Sequence, residues 1–149
     1  MRGKFYESDM KPARGMTDTL VDTLYMEAMV MADEARSYFD QFGRDSRANM
    51  TPVQRVSFSC ESLKVTTRLM HSIAWLLARR AQQGTTNPLA AAAPSDEATV
   101  SSLPDEAQHL IRSSQDLYQR IQRLDRKLSQ ATNDPNPALV LRERLEQAF

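Results

Sequence analysis

Residues 62–77 read SLKVTTRLMHSIAWLL and decide the fold of this chain. They lie within a run from Pro52 to Gln83 that holds no glycine and, after Pro52 itself, no proline. Apolar or small residues recur along the run at alternating intervals of three and four, the spacing of one face of a long packed helix. The members of this first stripe are Val53, Val56, Cys60, Leu63, Thr67, Met70, Ala74, Leu77 and Ala81. The pattern predicts a helix over residues 52–83 that packs through the first stripe.

The same helix carries a second apolar stripe beside the first. Its members are Phe58, Val65, Leu69, Ile73 and Leu76. One neighbouring helix cannot cover both stripes, because each lies on a different part of the helix surface. We therefore predict that this helix is the central element, in contact with two other helices, with a second subunit as a further candidate neighbour.

Helix start and stop signals, together with apolar spacing, predict the other elements. Thr51, Pro52 and Gln54 form a capping box with proline in the first turn, which starts the central helix. Apolar periodicity places further helices at about residues 19–42, 103–131 and 137–148, with Gly43 as the C-terminal cap of the first. Residues 1–16 and 84–102 are expected to be flexible. The predicted fold is a single all-α domain over 1–149, an antiparallel three-helix bundle with a short C-terminal helix.

Composition excludes several classes of function. The chain has 149 residues, a formal net charge of zero and a single cysteine, Cys60. A neutral total argues against nucleic acid as the main partner, and one cysteine allows no internal disulfide, which fits the cytoplasm. No apolar run reaches the ~20 residues that a membrane span needs, and residues 1–16 do not form a secretory signal.

Chemistry-bearing residues do not converge on a site. His71, His109 and Cys60 show no metal-ligand spacing, and no glycine-rich loop could hold a phosphate. Cys60 lies on the first stripe without a matched base, so it is interpreted as a small apolar residue. We predict no catalytic residue, no metal and no cofactor.

Trp75 suggests a docking surface. Helical spacing places it away from the first stripe, on the side that carries Lys64, Arg68 and Arg79. Tryptophan and arginine are enriched where proteins bind one another, so these four residues are the candidate partner-binding set. A structural role stays open, in which the N-terminal segment or the C-terminal helix covers Trp75.

The first predicted helix has more apolar surface than one bundle can bury. Tyr25, Met26, Met29 and Val30 lie outside its expected packing face. Monomeric proteins rarely expose a large apolar patch, so these four residues are the candidate interface of a homodimer.

The central helix also carries a family resemblance. The residues concerned are Glu61, Ser62, Leu63, Thr66, Thr67, Arg68, Leu69, Met70, Ala74, Trp75, Leu76, Leu77, Arg80 and Ala81. Two flanking patterns agree with them: Leu103-Pro104 followed by Leu110, Ser114, Leu117, Arg120 and Arg123-Leu124-Asp125, and Ala35, Tyr38-Phe39 and Gly43-Arg44. Together they resemble the alphaproteobacterial regulators of CtrA degradation, the RcdA-like proteins, from about Leu24 to Asp125.

The resemblance implies a dimeric three-helix bundle without catalytic activity. Such proteins act as adaptors that connect the ClpXP protease or its priming factor to substrates, or to a second adaptor that delivers the cell-cycle regulator CtrA. Our first hypothesis is therefore a proteolysis adaptor. The alternative is a structural dimeric scaffold unrelated to proteolysis, while a nucleic-acid binder and an enzyme rank below both.

Overall fold

The computed structural model describes residues 15–81, 87–133 and 137–148, and all regular structure within them is helical. The all-α class is thereby confirmed for these residues. Residues 1–14 and 84–86 of the two segments predicted to be flexible, and residues 82–83 of the predicted central helix, lie outside the described residues. The elements in chain order are α1 Met16–Ser37, a π-helix Tyr38–Phe42, α2 Gly43–Ala48, α3 Pro52–Arg80, α4 Glu97–Ser101, α5 Asp105–Asn133 and α6 Pro137–Ala148.

The first helical segment continues past the predicted cap. Gly43 was expected to end it, but the chain winds through the π-helix and directly into α2. Tyr38 and Phe39 meet Phe58 of α3 edge to face, with ring centroids 5.4–6.2 Å apart. This aromatic cluster holds the wider turn in a helical path, so tertiary packing overrides the glycine signal.

The start of α3 follows local chemistry. The Thr51 hydroxyl accepts a hydrogen bond from the Gln54 amide at 3.2 Å, and the Gln54 side chain accepts one from the Thr51 amide at 3.0 Å. Both halves of the predicted capping box are present. They satisfy backbone donors that the first turn of a helix otherwise leaves unpaired.

The three long helices, α1, α3 and α5, each contact the other two, but they are not all antiparallel. Arg80 at the end of α3 pairs with Asp22 near the start of α1, so these two run in opposite directions. The helices α3 and α5 run in the same direction, because Arg68 contacts Ser114 and Trp75 contacts Asp125. The prediction of an antiparallel bundle is therefore wrong for this pair. A rod of 29 residues is about 43 Å long, so the chain must travel back along it before α5 begins.

The face of α3 that packs in the core is the second stripe and not the first. Phe58, Val65, Leu69 and Leu76, all from the second stripe, are buried against α1 and α5. The first stripe, predicted to pack in the bundle, is exposed along its whole length. Both stripes have helical spacing, and contacts with α1 and α5 alone decide which one is inside. No helix in the described parts of the chain is long and apolar enough to cross a membrane.

Candidate functional site

Residues 87–96, here called the strap, lie along the groove between α3 and α5. They form neither helix nor strand and run opposite to both helices. Their direction follows from their contacts: Leu89 meets Asp125, Ala93 meets Arg68, and Ser95 meets Glu61. The strap is thus the return path that parallel packing of α3 and α5 requires.

A buried polar cluster holds the middle of the strap. Arg68 is 2% exposed, and its guanidinium donates to the Ala93 carbonyl at 3.1 Å, the Ser95 hydroxyl at 2.5 Å and the Ser114 hydroxyl at 3.3 Å. The Ser95 hydroxyl in turn donates to Glu61, which is also 2% exposed. Burial lowers the pKa of Arg68, and the charge of Glu61 partly offsets that effect. Each charged group in the cluster therefore has partners that compensate its loss of water.

A second group of contacts holds the beginning of the strap. The Trp75 indole N–H donates to one carboxylate oxygen of Asp125 at 3.3 Å, and the Leu89 amide donates to the other at 3.1 Å. The Arg79 guanidinium stacks over the Trp75 ring at 5.0 Å, within cation–π range. Asp125 therefore joins α5, α3 and the strap at one point.

Two further side chains bind strap carbonyls near the solvent. The Tyr118 hydroxyl donates to the Ala90 carbonyl at 2.7 Å, and the Lys64 ammonium donates to the Pro94 carbonyl at 3.0 Å. Lys64 also pairs with Glu61 at 3.1 Å. Most contacts thus reach main-chain atoms of the strap, so the groove recognises an extended backbone more than particular side chains.

The structure brings together the four candidate partner-binding residues, Lys64, Arg68, Trp75 and Arg79, but not on an open surface. Trp75 is 4% exposed, and Arg68 is buried beneath the strap. The expectation of an exposed aromatic anchor is therefore corrected. Lys64 and Arg68 contact the chain's own segment 87–96, Trp75 is linked to it through Asp125, and Arg79 stacks on Trp75. Their role toward a partner protein stays a prediction.

Several residues of this groove were missed by sequence reasoning. They are Glu61, Ser95, Ser114, Tyr118 and the strap contact of Asp125. Glu61, Lys64 and Arg68 do share one helix face by their spacing, which could have indicated a polar face on which another segment packs. Nothing local indicates that Ser95 lies against them. Among the described residues, no group of three or more histidine, cysteine or acidic side chains could hold a metal ion.

The first stripe forms the second candidate surface. Its larger apolar members are 46–76% exposed, namely Val53, Val56, Leu63, Met70 and Leu77. Cys60 is exposed with them. Between α1 and α3 the stripe borders an open groove of about 410 Å³, whose lining combines apolar residues such as Leu63 and Met70 with charged ones such as Arg36 and Asp40. An exposed apolar stripe beside such a groove is typical of a protein interface.

The four candidate dimer residues of α1 differ in their exposure. Met26, Met29 and Val30 are exposed, whereas Tyr25 is half-buried beneath the Arg80 guanidinium at 4.4 Å. Val30 lies about 100° around the helix from Met29, since an α-helix has 3.6 residues per turn. Met26 lies between Met29 and Val30 on the helix surface, so the four residues occupy one continuous arc of α1. Their part in dimerisation stays a prediction.

Asp125→Ala is expected to lower the free energy of unfolding by about 1–3 kcal/mol, because Trp75 and Leu89 both lose a charged acceptor. Urea unfolding measures the stability, and acrylamide quenching of the single tryptophan measures its exposure. Asp116→Ala is the matched control, since the ion pair described for Asp116 lies along its own helix, with Arg120 at 3.0 Å. A loss that is no larger for Asp125→Ala than for Asp116→Ala would contradict the assigned role.

Comparison with known proteins matches the chain to a protein family and to a solved structure. The family model described as "Protein of unknown function (DUF1465)" matches residues 13–149. The crystal structure of RcdA from Caulobacter crescentus CB15 shares 34% sequence identity and a TM-score of 0.59. That alignment covers 72% of this chain and 90% of the other. No curated protein matches the sequence.

Proposed function

Because the chain belongs to the RcdA-like family, the proteins matched by the DUF1465 model, we propose that it is a non-enzymatic adaptor in regulated proteolysis. In this proposal it acts in the cytoplasm and helps to deliver substrates such as CtrA to the ClpXP protease. The observation that carries the proposal is 34% identity over 90% of the RcdA chain. That similarity accompanies regular structure that is entirely helical in the residues described.

The surfaces support an adaptor in physical terms. Delivery needs one surface for the protease or its priming factor and another for cargo or a second adaptor. Holding both on one body raises the local concentration of cargo without any chemical step by the adaptor. The first stripe and the strap groove are separate surfaces, because the stripe lies on the side of α3 opposite the core.

We also propose that the protein is a homodimer, and that the first stripe rather than the α1 set is the centre of its interface. The stripe from Val53 to Leu77 includes no charged residue. It is self-complementary when two copies of α3 cross antiparallel about a twofold axis that passes through the first stripe at the level of residue 65. Leu63 then faces Thr67 of the partner copy, and Cys60 faces its Met70. Such isologous contact buries the same surface on both copies. Met26 and Met29 of α1 are exposed as well and are proposed to extend the interface.

Addition of the protein to purified ClpXP, with its priming factor and second adaptor present, is expected to raise the degradation rate of subsaturating CtrA several-fold. The physical reason is the higher effective concentration of cargo at the protease. Loss of the labelled substrate over time measures the rate. A substrate that ClpXP recognises directly is the control and should be degraded at an unchanged rate. Equal CtrA degradation with and without the protein would instead favour a scaffold unrelated to proteolysis.

A further inference from the structure

The strap groove is built to bind a peptide backbone. Four of its contacts reach strap main-chain atoms: the carbonyls of Ala90, Ala93 and Pro94, and the amide of Leu89. The contacts come from both walls, with Lys64 and Arg68 on α3 and Tyr118 and Asp125 on α5. An extended chain of a different sequence could make the same main-chain contacts, provided that its side chains were small.

The strap itself contributes little apolar burial to the fold. Of its side chains, Leu89 packs half-buried against the core, while Ala90, Ala91 and Ala93 are exposed. The next buried apolar anchors, Val100 and Leu103, lie beyond it. A segment with few buried apolar contacts opens locally at a small fraction of the cost of global unfolding.

The buried charges beneath the strap also favour a segment that can open locally. A permanent connection could be held by apolar side chains, which are often as stabilising as a buried ion pair or more so. Here Glu61 and Arg68 lie under the strap instead, and both regain water when it lifts. The open groove would therefore present hydrated charges and main-chain partners, a surface suited to a polar peptide backbone.

We propose that the strap is a displaceable occupant, and that the groove between α3 and α5 binds an extended segment of a partner protein that is rich in alanine or other small residues. The partner's carbonyls take the places of those of Ala90, Ala93 and Pro94, and an amide takes the place of that of Leu89. The strap competes for the groove within the same molecule and so keeps it closed in the absence of partner. The inference rests on the adaptor proposal for one point, that the partner is a protein.

The competition sets the design of the experiment. A tethered segment has an effective concentration in the millimolar range, so a free peptide binds the intact protein only weakly. The receptor is therefore the full-length chain in which residues 88–95 are replaced by a glycine–serine segment of equal length. The probe is the capped peptide NPLAAAAPSD, the strap's own sequence. The single tryptophan, Trp75, shares the Asp125 carboxylate with the Leu89 amide of the strap, so its fluorescence reports occupancy.

The peptide is expected to protect Trp75 of this receptor from acrylamide in a saturable manner, with half-saturation below about 1 mM. Asp125→Ala in the receptor should weaken binding roughly tenfold, because the Leu89 amide loses its acceptor. A control peptide with Ala92→Phe should not bind, since Ala92 is half-buried in the groove. Absence of saturable protection in a receptor that keeps its helical circular dichroism would overturn the proposal, and so would equal binding of the Ala92→Phe peptide.

Hydrogen exchange of the unmodified protein gives a second, independent measurement. The Leu89 amide is expected to exchange at least about tenfold faster than the α3 amides around Val65, because the strap opens without global unfolding. Exchange at the same rate as those amides would show that the strap is a fixed part of the fold, and would overturn the proposal even if the glycine–serine receptor failed to fold. Both measurements omit the protease, so their failure is distinguishable from failure of the adaptor proposal in the degradation assay.

Discussion

Leu63→Asp is expected to turn the protein into a folded monomer. Leu63 is 68% exposed in the single chain, so the substitution should change the stability of the monomer by no more than about 0.5 kcal/mol. In the proposed dimer the residue lies next to the twofold axis, and two unpaired carboxylates would be buried there. A buried unpaired charge costs about 3–5 kcal/mol, which corresponds to at least a hundredfold rise in the dimer dissociation constant. Light scattering at micromolar concentration measures the mass.

Leu145→Asp is the matched control for this experiment. Leu145 is also an exposed leucine, at 53%, but it lies on α6 rather than on the first stripe. We expect this variant to keep the dimeric mass of the wild type. Dimer loss in Leu145→Asp alone would place the interface on α6, and a monomeric wild type would refute the dimer itself.

Local features of this chain could be predicted from sequence because their causes are local. The Thr51–Gln54 capping box needs only residues three apart in sequence and the geometry of one helical turn. The existence of three long helices follows from apolar spacing and from the rarity of glycine and proline. Neither kind of evidence depends on what the helix packs against.

Which face of α3 is buried could not be predicted in the same way. Both of its stripes satisfy the spacing of a packed face, and the first is the longer. The burial of Phe58 rather than Val56 follows from contacts with Tyr38 and Phe39, which come from the π-helix that sequence reasoning missed. The exposure of a stripe with core-like spacing is the observation on which the proposed dimer rests.

The candidate site was predicted only in part, for a related reason. The spacing of Lys64, Arg68 and Trp75 identified a face with binding chemistry, and the structure brings these residues together. The occupant of the face could not be inferred, because Ser95 and Glu61 are distant in sequence and meet only when α3 and α5 run parallel. Helix direction depends on the path of the connection, and alanine-rich residues 90–93 give no periodic signal for an extended strap.

Leu76→Ala and Leu77→Ala test which face of α3 is buried, because they change the same residue type at adjacent positions. Leu76 is fully buried and Leu77 is 46% exposed. Leu76→Ala is expected to lower the free energy of unfolding by about 2–5 kcal/mol, since it removes buried methyl groups and leaves a cavity in the core. Leu77→Ala should change it by no more than about 0.5 kcal/mol in the monomer.

Both substitutions are best made in the Leu63→Asp background, where a second copy is excluded and unfolding does not depend on dissociation. Urea titration followed by circular dichroism then measures the free energy of the single chain. In the dimeric wild-type background, Leu77→Ala should instead raise the dimer dissociation constant while Leu76→Ala lowers the stability of each subunit. A reversed order in the monomeric background would show that the first stripe is the core. It would also remove the basis of the proposed dimer, because the same residues cannot pack inside the bundle and face a second copy.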